Sequence, residues 1–214
     1  MFRCVCAFAE LKAGERQWFI VGRWQEYDGE SRANLLRIVA VGAFYILELL
    51  RFYVFEKAAA QHLPFHRQAT AVAVAWAMVG LAILLCLRMK IFPAALKYAS
   101  TACDVLLLTA LAAMSNGPFS PLVLAYFLII ALAALRFSLG LVWFTTLAGM
   151  LGYESLVGLV DKKWFDANHA VPPTTQLISL LSLGLTGVVI GQVVRRVKGM
   201  AGEYAQRLAA EKTA

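Results

Sequence analysis

The chain has 214 residues, of which 61% are hydrophobic and 15% are charged, with 20 Lys and Arg against 13 Asp and Glu. Soluble domains average roughly 45–50% apolar and 25% charged residues, so this composition excludes an ordinary soluble domain. The net charge of +7 does not indicate a nucleic-acid partner, because the basic residues lie at the ends of apolar runs and not on one polar face.

Six apolar runs follow one another along the chain, each long enough, or nearly long enough, to cross a bilayer. A hydrocarbon core about 30 Å thick requires about 20 apolar helical residues. We therefore predict an all-α, polytopic membrane protein, a bundle of six transmembrane helices with a cytoplasmic extension of the last one. The predicted spans are 35–55, 69–87, 92–114, 121–135, 139–160 and 174–194.

Three regions follow from this pattern. Residues 1–33 form a cytoplasmic or interfacial N-terminal segment, 34–192 the transmembrane domain, and 193–214 a cytoplasmic amphipathic helical tail. Aromatic and charged residues alternate over 17–33, which suits a segment in the lipid headgroup zone; a free cytoplasmic arm is the alternative. Acidic and basic residues follow Ala9 too soon for a secretory signal.

Orientation follows from the basic residues, because Lys and Arg are in excess in short cytoplasmic loops. Most of the 20 lie in the N-terminal segment, the second and fourth connections and the tail. We predict a multi-pass protein of the bacterial inner membrane with both termini cytoplasmic. The few on the opposite side are Arg51, Lys57, Arg67, Lys162 and Lys163.

Only two outer connections, 56–68 and 161–175, exceed a tight turn. His62 and His66 have helical spacing, but Pro64 between them argues against a helix there. A metal or pH-sensing site that joins these histidines to His169, Asp161 and Asp166 in the second connection is the alternative, but zinc would need a third and a fourth ligand with defined geometry. We predict no metal, no cofactor and no ligand-binding domain outside the membrane.

Polar residues inside the spans are the first candidates for function, because a charge in the bilayer centre is costly. Asp104 lies near the middle of the third span, and Lys97, Thr101 and Asp104 share one helical face, with Ser100 beside them. Asp104 either couples a proton or a ligand to helix movement, or is held by a hydroxyl or basic partner on another helix.

Two further acids lie nearer the predicted outer surface. Glu48 precedes Arg51 by three residues, a spacing that allows an ion pair on one helix, and Glu154 lies in the outer half of the fifth span. If both acids converged on Asp104, they would form a pocket for a proton, a cation or an amine. Separate structural pairs are the alternative.

The sixth span carries a face of small residues that includes Gly184, Gly187 and Gly191, and such faces let helices approach closely in lipid. Packing within the bundle and formation of a homodimer both explain it. Beyond Gln192 a 3,4,3,4 spacing of small and apolar residues predicts a helical seam that can join a partner. Its members are Val194, Val197, Ala201, Tyr204 and Leu208.

The stretch from Cys103 to Leu139 resembles the six-helix membrane input modules of bacterial sensor histidine kinases and of related nucleotide cyclases. Those modules have an aspartate on the third helix, a Gly- and Ser-Pro-containing outer turn, a Tyr-Phe-rich helix and a basic cytoplasmic turn. The likeness covers roughly half of the chain. The matching positions are Asp104, Gly117, Ser120, Pro121, Tyr126 and Arg136.

The resemblance implies a signal-input module whose last helix acts on a cytoplasmic signalling protein, because the sequence contains no phosphoacceptor region or nucleotide-binding loop. We predict that the chain is not an enzyme, since no catalytic motif is visible. The lipid bilayer is its other partner. The alternative function is a small transporter or channel that uses Asp104, Glu48 and Glu154 along a polar path.

Overall fold

A computed structural model describes residues 13–55, 63–89, 95–160 and 171–211, without the side chains of 13–26, 160 and 204–211. The chain is all-helical over these ranges, which contain no strand. The helices are α1 (Ala13–Leu50), α2 (Leu63–Arg88), α3 (Ala95–Met114), α4 (Ala125–Ala134), α5 (Leu139–Val160) and α6 (Pro173–Glu211).

Four helices in the described ranges are long and apolar enough to cross a membrane: Tyr27–Phe55, Leu63–Arg88, Ala95–Met114 and Pro173–Glu203. The fourth predicted span falls on a shorter apolar helix, Pro121–Ala134. The fifth coincides with the 22-residue α5, which is not one of the four. The fold supports a helical membrane protein.

α1 differs from its predicted limits. It begins at Ala13 and continues without interruption to Leu50, where a π-helical turn, Arg51–Phe55, extends it. The boundary predicted between residues 33 and 34 therefore falls inside a helix. The helix continues through this point because it packs on the bundle, where Glu30, Ala33 and Asn34 are all buried.

α2 corrects the prediction for the first outer connection. The helix begins at Leu63 and includes Pro64 and His66. Proline is tolerated in the first turn of a helix, where its missing N–H would have no partner, so Pro64 starts this helix instead of preventing it. His62, His169, Asp161 and Asp166 lie outside the described residues.

The connection from α3 to α4 is built from two 3₁₀ segments, Gly117–Phe119 and Pro121–Leu124. Gly117 adopts φ 57°, a left-handed conformation that glycine reaches without steric cost. Ser120 caps the second segment by accepting a hydrogen bond from Leu122 N at 3.3 Å. The left-handed Gly117 and the Ser120 cap explain why the fourth predicted span begins as a 3₁₀ turn.

The bundle packs around α5, which contacts α3, α4 and α6, while α1 packs on α2 and α2 on α3. The core contains Leu108, Tyr126, Ile130 and Leu156. Large apolar side chains such as Leu151 are exposed on the outer faces, as expected where lipid surrounds a bundle.

Candidate functional site: two buried ion pairs and a cavity

Asp104 is held inside the bundle by side chains from two other helices. Arg37 Nη2 and Nε donate to Asp104 Oδ2 at 2.7 and 3.0 Å, and Trp76 Nε1 donates to Oδ1 at 2.7 Å. Arg37 and Asp104 are each only 4% exposed. One carboxylate therefore joins α1, α2 and α3.

The remaining polar groups of this cluster are also bonded. Arg37 Nη1 donates to Asn34 Oδ1 at 3.0 Å, and Asn34 Nδ2 donates to the Gly80 carbonyl at 3.1 Å. Asn34 and Arg37 lie one helical turn apart, so both face α2 and α3. Removing charges from water is costly, and these additional bonds help to offset that cost for the buried pair.

A second buried ion pair lies toward the end of the bundle that contains Lys97. Arg136 Nη2 donates to Glu30 Oε1 at 2.8 Å and to Ser100 Oγ at 3.1 Å. Its Nη1 donates to Thr101 Oγ1 at 2.6 Å and to the Lys97 carbonyl at 3.0 Å. Arg136 thereby ties α1 and α3 to the connection between α4 and α5.

This second pair is not fully satisfied. Glu30 Oε2 and Arg136 Nε are buried and make no hydrogen bond within the described residues. Burial lowers the pKa of the Arg136 guanidinium from its ordinary value, and the charge of Glu30 opposes that shift. Arginine nevertheless stays charged at accessible pH values. The buried charge of Arg136 is therefore stabilised by Glu30 and by its other hydrogen-bond acceptors.

Close backbone packing positions α1 at this end. A Cβ atom at Gly29 would lie 2.8 Å from the Leu135 carbonyl oxygen, so only glycine fits there without displacing backbone. Leu135 directly precedes Arg136, and the same approach therefore brings Glu30 next to the guanidinium. Phe137 has φ 46°, which turns the chain sharply after Arg136.

A cavity of about 580 Å³ lies beside the Arg37–Asp104 pair. Its walls come from α1, α2, α3 and residues 115–132, and they are mostly apolar. Trp76 lines the cavity next to Asp104, whereas Glu48 and Arg51 line it farther along α1. Two of the three predicted acids thus share one cavity.

The C-terminal part of α1 and the π-helical turn after it make aromatic and polar contacts to α2. Arg51 Nη1 and His66 Nδ1 each lie 3.8 Å from a Glu48 carboxylate oxygen. The Phe52 ring stacks on the His66 ring with centroids 4.1 Å apart. Phe52 belongs to the π-helical turn, a deviation often found at functional sites.

The remaining predicted polar residues are divided among different contacts. Thr101 binds Arg136 and not Asp104, and Lys97 Nζ lies 5.9 Å from the centre of the Tyr98 ring. Glu154 does not line the cavity, and instead accepts hydrogen bonds from Gln176 Nε2 at 3.0 and 2.9 Å. The three acids therefore do not form a single pocket.

The predicted glycine face packs inside the bundle at two of its three positions. A Cβ atom at Gly187 would collide with the Thr146 side chain, and one at Gly191 would lie 3.3 Å from Leu139 Cδ1. Gly184 has no such neighbour within 4 Å. Gly187 and Gly191 thus let α6 approach α5.

The predicted seam on α6 is divided between two environments. Val194 is buried against Ala133, Leu141 and Val142, whereas Val197 and Ala201 are exposed. The helix itself continues to Glu211, but the side chains of Tyr204 and Leu208 lie outside the described residues.

Sequence reasoning missed Glu30, Asn34, Arg37 and Trp76 as site residues and took Arg136 only as a basic turn. A signal was present, because Arg37 lies within an apolar run and intramembrane charges usually have a functional reason. The 4,3 spacing of Glu30, Asn34 and Arg37 also places them on one helical face.

Comparison of the chain with protein-family models, curated proteins and solved structures finds no match. Among the described residues, no group of three or more His, Cys, Asp or Glu side chains is arranged to hold a metal ion.

Proposed function

We propose that the chain is a membrane signal-input module that spans the inner membrane six times and acts on a cytoplasmic protein through α6. The observation that carries this proposal is the 39-residue α6, which begins at Pro173 within the bundle and runs unbroken to Glu211. At about 1.5 Å per residue this helix is roughly 58 Å long, well beyond the thickness of a hydrocarbon core.

The orientation supports the same function. The positive-inside rule favours both termini in the cytoplasm, with Arg195, Arg196 and Lys198 directly after the last apolar run. α6 then delivers its exposed part, including Val197 and Met200, to the compartment where signalling partners reside. The resemblance to sensor kinase input modules gives the same direction of signalling.

Continuous packing links the cavity to this helix. Arg37 and Asp104 line the cavity, and Glu30, on the same helix as Arg37, binds Arg136. The connection that contains Arg136 leads into α5, where Leu141 and Val142 pack on Val194. A change at the cavity would reach α6 through these contacts, because packed interfaces switch between discrete arrangements.

Photo-crosslinking in cells of the source organism tests the proposal. A photoreactive residue at Val197 or Met200 of the full chain is expected to capture a specific cytoplasmic protein. Leu185 is the matched control, because it is exposed on the same helix but lies within the apolar span. Identical adducts from Leu185 and Val197, or none from Val197 and Met200, would contradict a signalling role.

A transporter or channel is the second candidate, favoured by one observation: Asp104 and Glu48 line the same cavity. Proton or cation flux in proteoliposomes that Glu48→Gln abolishes would establish it, because Glu48 lines the cavity without belonging to the buried Arg37–Asp104 pair. Glu154→Gln is the control, since Glu154 lies outside the cavity, and loss of flux in both variants would point to general damage.

A further inference from the structure

The cavity between α1 and the α3–α4 segment has the size and composition of a ligand site. Small-molecule sites typically measure about 300–1,000 Å³ and are apolar with a few converging polar groups. This cavity measures about 580 Å³ and combines apolar walls with polar groups at both ends.

The charges on the cavity wall cancel. Its charged residues are Arg37, Asp104, Glu48 and Arg51, two bases and two acids. Arg37 and Asp104 bind each other, and Glu48 lies 3.8 Å from Arg51. An anionic or cationic ligand would therefore leave water without a net countercharge in the site, which is unfavourable.

The cavity is also elongated. Arg37 and Glu48 mark its two ends on α1 and are eleven residues apart, which corresponds to roughly 16 Å of helix. Between them the wall of α1 is lined by Ala40, Phe44 and Leu47, and Leu128 and Leu132 line the opposite wall. Such a space fits a hydrocarbon chain.

The polar groups at the Glu48 end include both hydrogen-bond donors and acceptors. Asn116 and Ser120 line this end together with Glu48 and Arg51, and the Asn116 side chain makes no capping hydrogen bond to the adjoining 3₁₀ segment. A hydroxyl or amide group, which both donates and accepts, matches such a set.

We propose that this cavity binds a neutral single-chain amphiphile, with its hydroxyl or amide head between Glu48 and Asn116 and its hydrocarbon chain directed toward Trp76. This inference rests on the proposed function, for which it names the stimulus. Binding separates α1 from the α4 wall, and the Glu30–Arg136 contact transmits that displacement to α5.

Quenching of Trp76 fluorescence tests the site with a bromine-labelled long-chain alcohol as the probe. The full chain is reconstituted in nanodiscs after Trp18, Trp24, Trp143 and Trp164 are replaced by Phe, which leaves Trp76 as the reporter. A second protein retains only Trp143, which is exposed and lies outside the cavity. Saturable quenching of Trp76, and only linear quenching of Trp143, is expected.

Matched variants locate the binding. Ala40→Phe fills the cavity and should weaken the alcohol by roughly tenfold or more, because the bulk occupies the ligand's space. Ala43→Phe is the control, since Ala43 is exposed on the same helix and does not line the cavity. Asn116→Ala should weaken binding by about threefold or more through a lost hydrogen bond.

Each outcome is decisive. Quenching of Trp76 that does not saturate, or that Ala40→Phe leaves unchanged, would overturn the site. A bromine-labelled fatty acid and a bromine-labelled alkylamine of the same length serve as charged probes. Tighter binding of either one than of the alcohol would contradict a neutral ligand. Saturable alcohol binding without an adduct from Val197 would support this site and contradict the signalling function. An adduct from Val197 without saturable alcohol binding would support the signalling function and contradict this site.

Discussion

Arg37 and Asp104 neutralise each other inside the bundle although 67 residues separate them in the chain. Each would be an uncompensated buried charge without the other, whereas their joint replacement by apolar residues would leave no charge to solvate. Trp76 and Asn34 add bonds that fix the geometry of the pair.

Replacing Arg37 by Met should lower the free energy of unfolding by about 3–5 kcal/mol, because Asp104 would remain buried without its countercharge. Unfolding in mixed detergent micelles measures the loss. The control is Arg32→Met, since Arg32 and Asp28 pair with 71% and 42% of their side chains exposed, and such a pair contributes about 1 kcal/mol or less.

Combining Arg37→Met with Asp104→Leu should restore most of that stability, since no uncompensated charge would remain buried at this site. Equal losses for Arg37→Met and Arg32→Met would show that the buried pair has no special weight. A double variant no more stable than Arg37→Met would show that shape, and not charge, dominates there.

Between elements, the contact of α6 with α5 depends on side-chain size. Gly187→Ala should destabilise the bundle by about 1–3 kcal/mol, the usual cost of overpacking, because its Cβ would meet Thr146. Gly184→Ala, with no neighbour within 4 Å, should be neutral or slightly stabilising. Thermal unfolding of the purified variants compares them, and equal effects would contradict the packing.

The attachment of α1 to the α4–α5 connection can be measured by a double-mutant cycle. Glu30→Gln and Arg136→Met should show a coupling energy of about 0.5–3 kcal/mol, as for groups in direct contact. Glu154→Gln combined with Arg136→Met should be additive, because Glu154 binds Gln176 instead. Additivity of the first pair would mean that Glu30 and Arg136 act independently.

Helices were predictable from sequence where the apolar pattern is local. The runs that became α2, α3 and α6 carry their own hydrophobic signal, and turn residues at Gly117 and Pro121 mark the connection between α3 and α4. The partners of Asp104 were not predictable, because they depend on which helices become neighbours. The start of α1 was missed because residues 13–34 contain many polar residues, although Gly29 packs closely against the Leu135 backbone.

For the whole molecule, the proposed six spans require both termini on the same side of the membrane. Reporter fusions at residue 1 and after residue 214 should both report the cytoplasm, because the basic residues favour that face. A reporter in the 115–120 connection should report the opposite face. Termini on opposite faces would exclude an even number of spans.

The two buried ion pairs also have a consequence for biosynthesis. The partner of Arg37 is synthesised 67 residues later, and the partner of Glu30 is synthesised 106 residues later. At roughly 5–20 residues per second, synthesis of these intervals takes about 3–13 s and 5–21 s. During that interval the nascent first helix carries charges that lipid disfavours. We therefore expect this helix to stay beside the insertion machinery until α3 and the α4–α5 connection emerge from the ribosome.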